Sequence, residues 1–244
     1  MSVTAVLHSE WIKIRSIRAS LGSLIAVFAA TLAITLLVFA TVGGAELNAD
    51  EDPVFAAFYA INFAQIAAIA FGATAVSSEY ANGALRVSLS AVPHRGLFYA
   101  AKAAAMAGAA FAVGLATAFA TFFAGQAFLG EDSIGLGEPG ALRACFGAGI
   151  YLALMALFAA GLTFLLRSAT AVLSLLIPFI LIVGFVIGDL AGNAADYLPD
   201  RAGQQVLHQA PEGGVGPWTG LAVMALWAAA ALLAGWWAVR RRDA

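Results

Sequence analysis

Few side chains in this sequence could do chemistry, and those few lie far apart in its 244 residues. ATP hydrolysis requires a glycine-rich loop that ends in Gly-Lys-Ser or Gly-Lys-Thr and holds the phosphates. The two lysines, Lys13 and Lys102, follow Ile12 and Ala101 instead. The sequence therefore excludes a nucleotide-hydrolysing loop of this kind.

The histidines and the cysteine follow no catalytic or metal-binding pattern. Zinc sites and nucleophilic centres bring several such side chains together, whereas His8, His94 and His208 flank different apolar stretches and Cys145 is the only cysteine. We predict interfacial positions for the histidines and a small apolar packing role for Cys145. We expect the chain itself to have no catalytic residue, metal or cofactor.

Polar side chains within apolar surroundings are the remaining candidates. Asn62 and Gln65 are three residues apart and so share one face of a helix. In hydrocarbon such amides either hydrogen-bond to a neighbouring helix or face a substrate. Glu10 falls within an apolar helical stripe, where it either pairs with a cation or extends to the lipid headgroups.

Composition sets the elements that carry these residues. With 62% hydrophobic and 11% charged residues, the chain has too little charge for a soluble surface. About 20 apolar residues cross a hydrocarbon core of about 30 Å as a helix. We predict an all-α polytopic membrane protein, a single transmembrane domain over residues 1–244, with six spans at about 20–44, 54–77, 101–128, 144–166, 169–189 and 217–239.

Basic residues lie on one predicted side of these spans. Apart from Arg143 and Arg201, every Lys and Arg lies at a terminus or next to the loops after the second and fourth spans, whereas most acids lie in the other loops. Short loops rich in Lys and Arg stay in the cytoplasm. The pattern places both termini there, and it lets Lys102 extend to the cytoplasmic face.

Two short amphipathic segments lie on this side. Residues 3–18 place several apolar side chains on one helical face, as in a helix at a membrane surface. In residues 79–95 a turn at Asn82-Gly83 and a stop at Pro93 enclose Leu85 and Leu89. The bilayer surface or another protein would have to cover this second apolar face.

The fifth predicted span has two special features. Pro178 in its middle predicts a kink or local unwinding. Gly184 and Gly188 recur at a spacing that permits close approach of a neighbouring helix. The following residues, 190–216, are predicted to form an extracytoplasmic loop with short helices.

A resemblance follows from four features in order. The Glu10-Trp-Ile-Lys-Ile-Arg15 segment, six spans, the Ser78-Glu79-Tyr80 to Pro93-His94-Arg95 segment and the Leu198-Pro199 to Arg242-Asp243 tail resemble type-2 permease subunits of ATP-binding-cassette exporters. The similarity is to the short forms common in actinobacteria, and it covers essentially the whole chain. It implies a bacterial cytoplasmic membrane location.

The resemblance also implies partners. Two permeases, identical or homologous, would join two cytoplasmic ATPase subunits that bind ATP and magnesium. Residues 3–18 would be the elbow helix, whose characteristic side chains are Glu10, Trp11, Lys13 and Arg15. Residues 79–95 would carry the coupling helix, with contacts to the ATPase from Glu79, Leu85, Arg86, Leu89 and Arg95.

The expected activity is export of a solute. The resemblance places the path at a dimer interface, near Phe58, Asn62, Gln65, Pro178, Gly184 and Gly188. Without fixed charge, such a path favours an amphipathic or hydrophobic cargo such as an antibiotic, a peptide or a lipid. A passive channel or a membrane scaffold or regulatory subunit without an ATPase is the alternative, and no nucleic acid partner is expected.

Overall fold

The computed structural model describes residues 2–41, 52–130, 133–183, 192–210 and 214–241. For residues 82, 183, 192 and 193 it describes the backbone alone. The described part is helical throughout and contains no strand. Five of its helices are long and apolar enough to cross a membrane. This confirms the prediction of an all-α, multi-pass membrane protein.

The helices that match predicted spans are α2 Arg18–Thr41, α4 Ile61–Tyr80, α6 Arg95–Gln126, α7 Ala141–Leu166 and α10 Pro217–Arg241. The shorter helices are α1 Val3–Ser16, α3 Pro53–Phe58, α5 Ala84–Ala91, α8 Ala169–Pro178 and α9 Pro199–Gln204. Short 3-10 helices cover Ala81–Gly83, Gly192–Tyr197 and Gln205–Leu207. The predicted fifth span, 169–189, is described as far as residue 183, and its end lies outside the described residues.

The second predicted span is divided. We expected a continuous helix over 54–77, but α3 ends at Phe58 and α4 starts at Ile61. At the break, the Tyr59 carbonyl accepts both the backbone N–H and the side-chain amide of Asn62, at 3.3 and 3.1 Å. An Asn side chain that binds nearby backbone competes with the regular helical ladder. The expectation of one continuous helix is therefore wrong at Tyr59 and Ala60.

α7 is the central helix of the bundle. It packs on α4, α6, α8 and α10, and its inward side chains Tyr151, Leu152 and Met155 have no exposed surface. α2 lies outside this group, against α4 and α6. The outward faces of α2 and α10 are apolar, with Leu37 and Leu226 63% and 70% exposed. Such faces suit contact with lipid tails rather than water.

Small residues allow the helices to approach α7 closely. A Cβ added at Gly72 of α4 would lie 2.1 Å from the carbonyl oxygen of Ala156, and one at Gly161 would lie 2.5 Å from backbone carbon of Ala231 in α10. In lipid, helices associate through such packing because the surrounding tails are as apolar as the side chains. The α4–α7 and α7–α10 crossings therefore depend on glycine.

α8 loses regular geometry where the sequence predicted a distortion. The α-helix ends at Pro178, and a π-helical turn covers Phe179–Val183. Proline has no N–H to donate to the preceding turn and its ring crowds that turn. π turns inside helices mark such local irregularities.

The bundle has two distinct ends. At the first, which we call the α1 end, α1 and α5 meet the end of α4 and the start of α6. α7 and α10 also end here, since Tyr80 Oη donates to the Phe164 carbonyl and Arg95 donates to the Val239 carbonyl. At the other end, the α9 end, α9 packs on the start of α10.

Gly72→Ala tests the close crossing of α4 and α7. The new methyl group would overlap Ala156, so we expect a loss of about 1–3 kcal/mol, the usual range for overpacking. Gly108→Ala is the matched control because nothing lies within 4 Å of its added Cβ; it should gain up to about 1 kcal/mol of helix propensity. Thermal unfolding midpoints in detergent measure both, and equal midpoints for the two variants would contradict the packing.

Candidate functional site

Four charged side chains meet at the α1 end. Glu10 and Lys13 come from α1, Glu79 from the last turn of α4, and Lys102 from α6. Glu10, Glu79 and Lys102 are each 2% exposed. We call these four residues the charge cluster. It joins three helices that are distant in sequence.

Each lysine of the cluster bridges both glutamates. Lys13 Nζ lies 2.7 Å from Glu10 Oε1 and 2.9 Å from Glu79 Oε1. Lys102 Nζ lies 2.8 Å from Glu10 Oε2 and 2.7 Å from Glu79 Oε1. The signs alternate around the group, and its formal charge is zero. These are short, charge-assisted hydrogen bonds.

α5 joins the cluster through one hydroxyl. Ser88 Oγ donates to Glu79 Oε2 at 2.8 Å and accepts from Lys13 Nζ at 3.0 Å. The Phe98 ring lies 5.3 Å from Lys13 Nζ and 5.9 Å from Lys102 Nζ, within reach of a cation–π attraction. The cluster thus links α1, α4, α5 and α6 at one point.

The stability of the charge cluster depends on all four of its charged side chains. Removing charges from water is costly, and a buried ion pair that loses one partner leaves an uncompensated charge. Lys13 is the member open to water, with 30% of its side chain exposed. Burial lowers the pKa of Lys13, but its hydrogen bonds with Glu10 and Glu79 and their charges outweigh burial, so the pKa is raised overall.

The sequence analysis made predictions about two of these residues, Glu10 and Lys102, and the structure tests both. Glu10 is paired with cations rather than extended to the headgroups. Lys102 was expected to extend to the cytoplasmic surface, and this was wrong. It lies about two turns into α6, which begins at Arg95, and it is held between two buried carboxylates. Two features of the sequence are consistent with this pairing. Glu10 lies in the apolar face of α1, and Lys102 lies within an apolar stretch.

The apolar face of α5 is covered by the chain itself. Leu85 is 6% exposed and packs in one group with Val6, Val92 and Phe98, and Leu89 packs partly against it. We had expected the bilayer or another protein to cover this face. This expectation was wrong, because α1 lies close enough to α5 and α6 to bury these side chains.

The residues expected to contact an ATPase divide into two groups. Glu79 is buried within the charge cluster, and Arg95 donates to the Val239 carbonyl at 2.8 Å, so both bind within the chain. The exposed side of α5 carries Arg86, Ser90 and Val87, which is 70% exposed. Among the expected α1 residues, Trp11 and Arg15 are exposed as well.

The amides of the second span have different environments. Gln65 is 2% exposed and accepts a hydrogen bond from the buried Tyr151 hydroxyl of α7. Gln204 of α9 donates to the same hydroxyl at 3.4 Å. Gln65 thus takes the helix-to-helix alternative in the single chain. Asn62 is half-buried and binds its own backbone turn.

The other residues predicted along a path are not grouped in the single chain. Phe58 is fully buried in the core, whereas Pro178 is exposed on α8. Gly184 and Gly188 lie outside the described residues. A shared path near these positions stays a prediction about an assembly of chains.

A second polar group lies at the α9 end. The Asp52 carboxylate caps α3 by accepting the Phe55 N–H at 2.8 Å, and it also accepts the Gln209 N–H at 3.1 Å. The His208 ring nitrogen lies 3.2 Å from it, and Arg143 donates to the Gln209 carbonyl at 2.9 Å. Burial raises the pKa of Asp52, but the hydrogen bonds from His208, Phe55 and Gln209 outweigh it and lower that pKa overall.

In both groups the charged side chains bind one another or the backbone of this chain. In the part of the chain that the structure describes, no three His, Cys, Asp or Glu side chains are close enough to hold a metal ion. Each carboxylate oxygen of the charge cluster accepts a hydrogen bond from Lys13, Lys102 or Ser88. Its arrangement suits a mechanical link between helices.

No protein-family model, curated protein or solved structure matches this chain.

Lys102→Met should destabilise the α1 end strongly. It leaves both buried glutamates with one shared cation, and breaking a buried ion pair costs about 3–5 kcal/mol. The double variant Lys102→Met with Glu10→Gln restores neutrality and should recover part of this loss. Arg18→Gln removes an exposed cation as a control. Unfolding midpoints in detergent are measured for these three variants and for Glu10→Gln alone, and strictly additive effects of Lys102→Met and Glu10→Gln would contradict a coupled cluster.

Asp52→Ala should destabilise the α9 end in a pH-dependent way. Since the folded-state pKa is lowered, the contribution of Asp52 is present above its ordinary value of 3.8 and is lost as the pH falls through the lower folded value. We expect a loss of about 1 kcal/mol at pH 7, typical of a lost helix cap. The difference from wild type should shrink below pH 3.8. Glu138→Ala, an exposed acid, is the control, and a pH-independent difference would contradict the assignment.

Proposed function

We propose that this chain is the membrane-spanning permease subunit of an ATP-driven exporter. Two permeases, either two copies of this chain or this chain with a homologue, form the pore, and two separate ATPase subunits bind ATP and magnesium. The observation that carries the proposal is the charge cluster. It connects the surface helix α1 and the short helix α5 to the ends of two long apolar helices.

A force on α5 has a direct route to α4 and α6. Ser88 binds Glu79 in the last turn of α4, and Glu79 binds Lys102 of α6. Leu85 adds an apolar contact between α5, α1 and α6. Separating α5 would remove a hydrogen bond from the buried Glu79 carboxylate and uncover Leu85, and separating α4 from α6 would break a buried ion pair. α5 and the helix ends therefore move together more readily than apart. This is the property that a coupling helix needs.

The exposed side of α5 is the proposed ATPase contact. Val87 is an apolar side chain that is 70% exposed on this side, and exposed apolar surface next to polar residues is typical of a contact with a partner protein. Arg86 and Ser90 lie on the same exposed side. We therefore propose Arg86, Val87 and Ser90 as the ATPase contacts in place of Glu79 and Leu85, which are buried against other parts of this chain.

Six spans with both termini in the cytoplasm are part of the proposal. Arg167 lies over the Tyr80 ring at the α1 end, whereas Val206 contacts the start of α7 at the α9 end. These contacts lie at opposite ends of the bundle, and α8 starts from the first of them, which supports a sixth span over residues 169–189. The arginines that flank the α1 end support its cytoplasmic placement by the positive-inside rule.

The proposed cargo is amphipathic or hydrophobic. Tyr59 and Phe63, 39% and 43% exposed, lie beside the half-buried Asn62 near the break between α3 and α4. They form an uncharged aromatic and amide surface on the outside of the single chain. We place the path there, at the contact between two permeases, with Phe58 and Gln65 supporting it from within.

Val87→Asp tests the coupling surface. We expect recovery of the ATPase with the tagged chain, purified from its own host membrane, to fall about tenfold or more, because the new carboxylate would lose its water in an apolar contact without gaining a partner. Folding should be unaffected, since Val87 is exposed. Val3→Asp is the matched control, a Val 55% exposed on α1. Mass spectrometry identifies a subunit with a Gly-Lys-Ser or Gly-Lys-Thr loop, and ATP hydrolysis by the complex is measured.

Two results would contradict the proposal. One is purification of the intact chain with no ATPase under conditions that retain membrane complexes. The other is solute conductance by the chain alone in liposomes, which would favour the passive channel. Equal losses for Val87→Asp and Val3→Asp would move the ATPase contact away from α5.

A further inference from the structure

An apolar groove lies where α1 joins α2. The chain turns at Ile17, whose backbone is extended between the two helices. The resulting corner, closed on its third side by α6, encloses about 440 Å³. Its walls include Ile14, Leu24, Phe28 and Val113. Ligand pockets commonly have volumes of roughly 300–1,000 Å³.

A more polar depression adjoins this groove along α1. It is lined by His8, Ile12 and Ser16 and shares Trp11 and Arg15 with the groove. An apolar groove that continues into a more polar depression with one cation is complementary to an amphiphile. The apolar chain would lie in the groove and an anionic head group would lie near the cation. Tryptophan is typical of the boundary between membrane and water.

Arg15 gives the mouth of the groove an unbalanced positive charge. It is the charged residue among those described that line the groove. No hydrogen bond or ion pair joins it to another described residue, although Lys13 two positions earlier has two carboxylate partners. The neighbouring charge cluster is neutral as a whole, so it does not offset Arg15. The Arg15 side chain is exposed, so an anion at the mouth of the groove could reach it.

We infer that the groove binds an anionic glycerophospholipid, with its phosphate at Arg15 and an acyl chain between α1, α2 and α6. Basic pockets between membrane helices near the headgroups suit anionic lipids, because apolar burial and charge attraction add. The inference needs only a membrane-embedded bundle. It holds whether or not the chain is an exporter.

Quenching of Trp11 by brominated lipids tests the site. A background variant replaces Trp218, Trp227, Trp236 and Trp237 by Phe, so that Trp11 reports alone. It is placed in phosphatidylcholine nanodiscs with increasing acyl-brominated phosphatidylglycerol. We expect saturable quenching at low fractions of the anionic lipid, and weaker, non-saturating quenching by brominated phosphatidylcholine.

Two pairs of variants separate the headgroup and the acyl chain. Arg15→Gln should raise the half-quenching fraction about fivefold, as expected for one cation near a lipid phosphate, whereas Arg18→Gln should leave it nearly unchanged. Ala116→Phe fills the groove and should reduce quenching, whereas Ala104→Phe, exposed elsewhere on α6, should not. Native mass spectrometry of lipid retained by the wild-type chain and by Arg15→Gln gives a readout independent of the background variant.

Three outcomes would overturn the inference. Equal effects of Arg15→Gln and Arg18→Gln would indicate diffuse attraction to a charged surface. Equal quenching by the two lipids would remove the role of the phosphate. Absence of quenching by either lipid, with the chain folded, would mean that a second copy or another protein covers the groove.

Discussion

The fold at the α1 end depends on keeping two buried carboxylates paired with two ammonium groups. Glu10, Glu79 and Lys102 have almost no contact with water, so each charge needs an opposite charge within hydrogen-bond distance. That need fixes where α1 lies, because Glu10 must reach Lys102 while Lys13 reaches Glu79. The position of α1 then determines the rest of this end. α1 covers Leu85 of α5 and forms one wall of the groove at Ile17.

A different constraint holds the centre of the bundle. Helices surrounded by lipid gain little from burying apolar surface against one another, so close backbone contact matters more. Gly72 and Gly161 let α4 and α10 approach α7 until backbone meets backbone. The Gln65–Tyr151 hydrogen bond adds a specific polar contact across the first of these crossings. Packing and charge therefore act at different depths of the same bundle.

Composition predicted most of the long helices well because it acts locally. The predicted spans 144–166 and 217–239 agree with α7 and α10 to within three residues at each end. Contacts between distant residues were not predictable in this way. Glu10 and Lys102 are 92 positions apart, and no periodicity relates them. The sequence did indicate that Glu10 needs a cation, yet it could not choose Lys102 over a headgroup position. The break at Tyr59 depends on one side-chain hydrogen bond, which a hydrophobic pattern does not register.

These constraints limit how the bundle could move if an ATPase drives it, as we propose. The α1 end would shift as a unit, because separating α1, α4 and α6 would leave a buried charge uncompensated. Separating α5 would remove the Ser88 hydrogen bond from the buried Glu79 carboxylate. Deformation must then occur where backbone hydrogen bonding is already irregular. Within the described parts of the predicted spans there are two such places, the turn at Tyr59 and Ala60 and the π-helical turn after Pro178. Both lie in segments that pack on α7 or beside it, whereas α7 itself is regular over Ala141–Leu166. If α7 stays rigid while the neighbouring segments bend at these two turns, a shift at the α1 end would change the surface around Asn62. The close contacts at Gly72 and Gly161, which hold the core, would be unchanged.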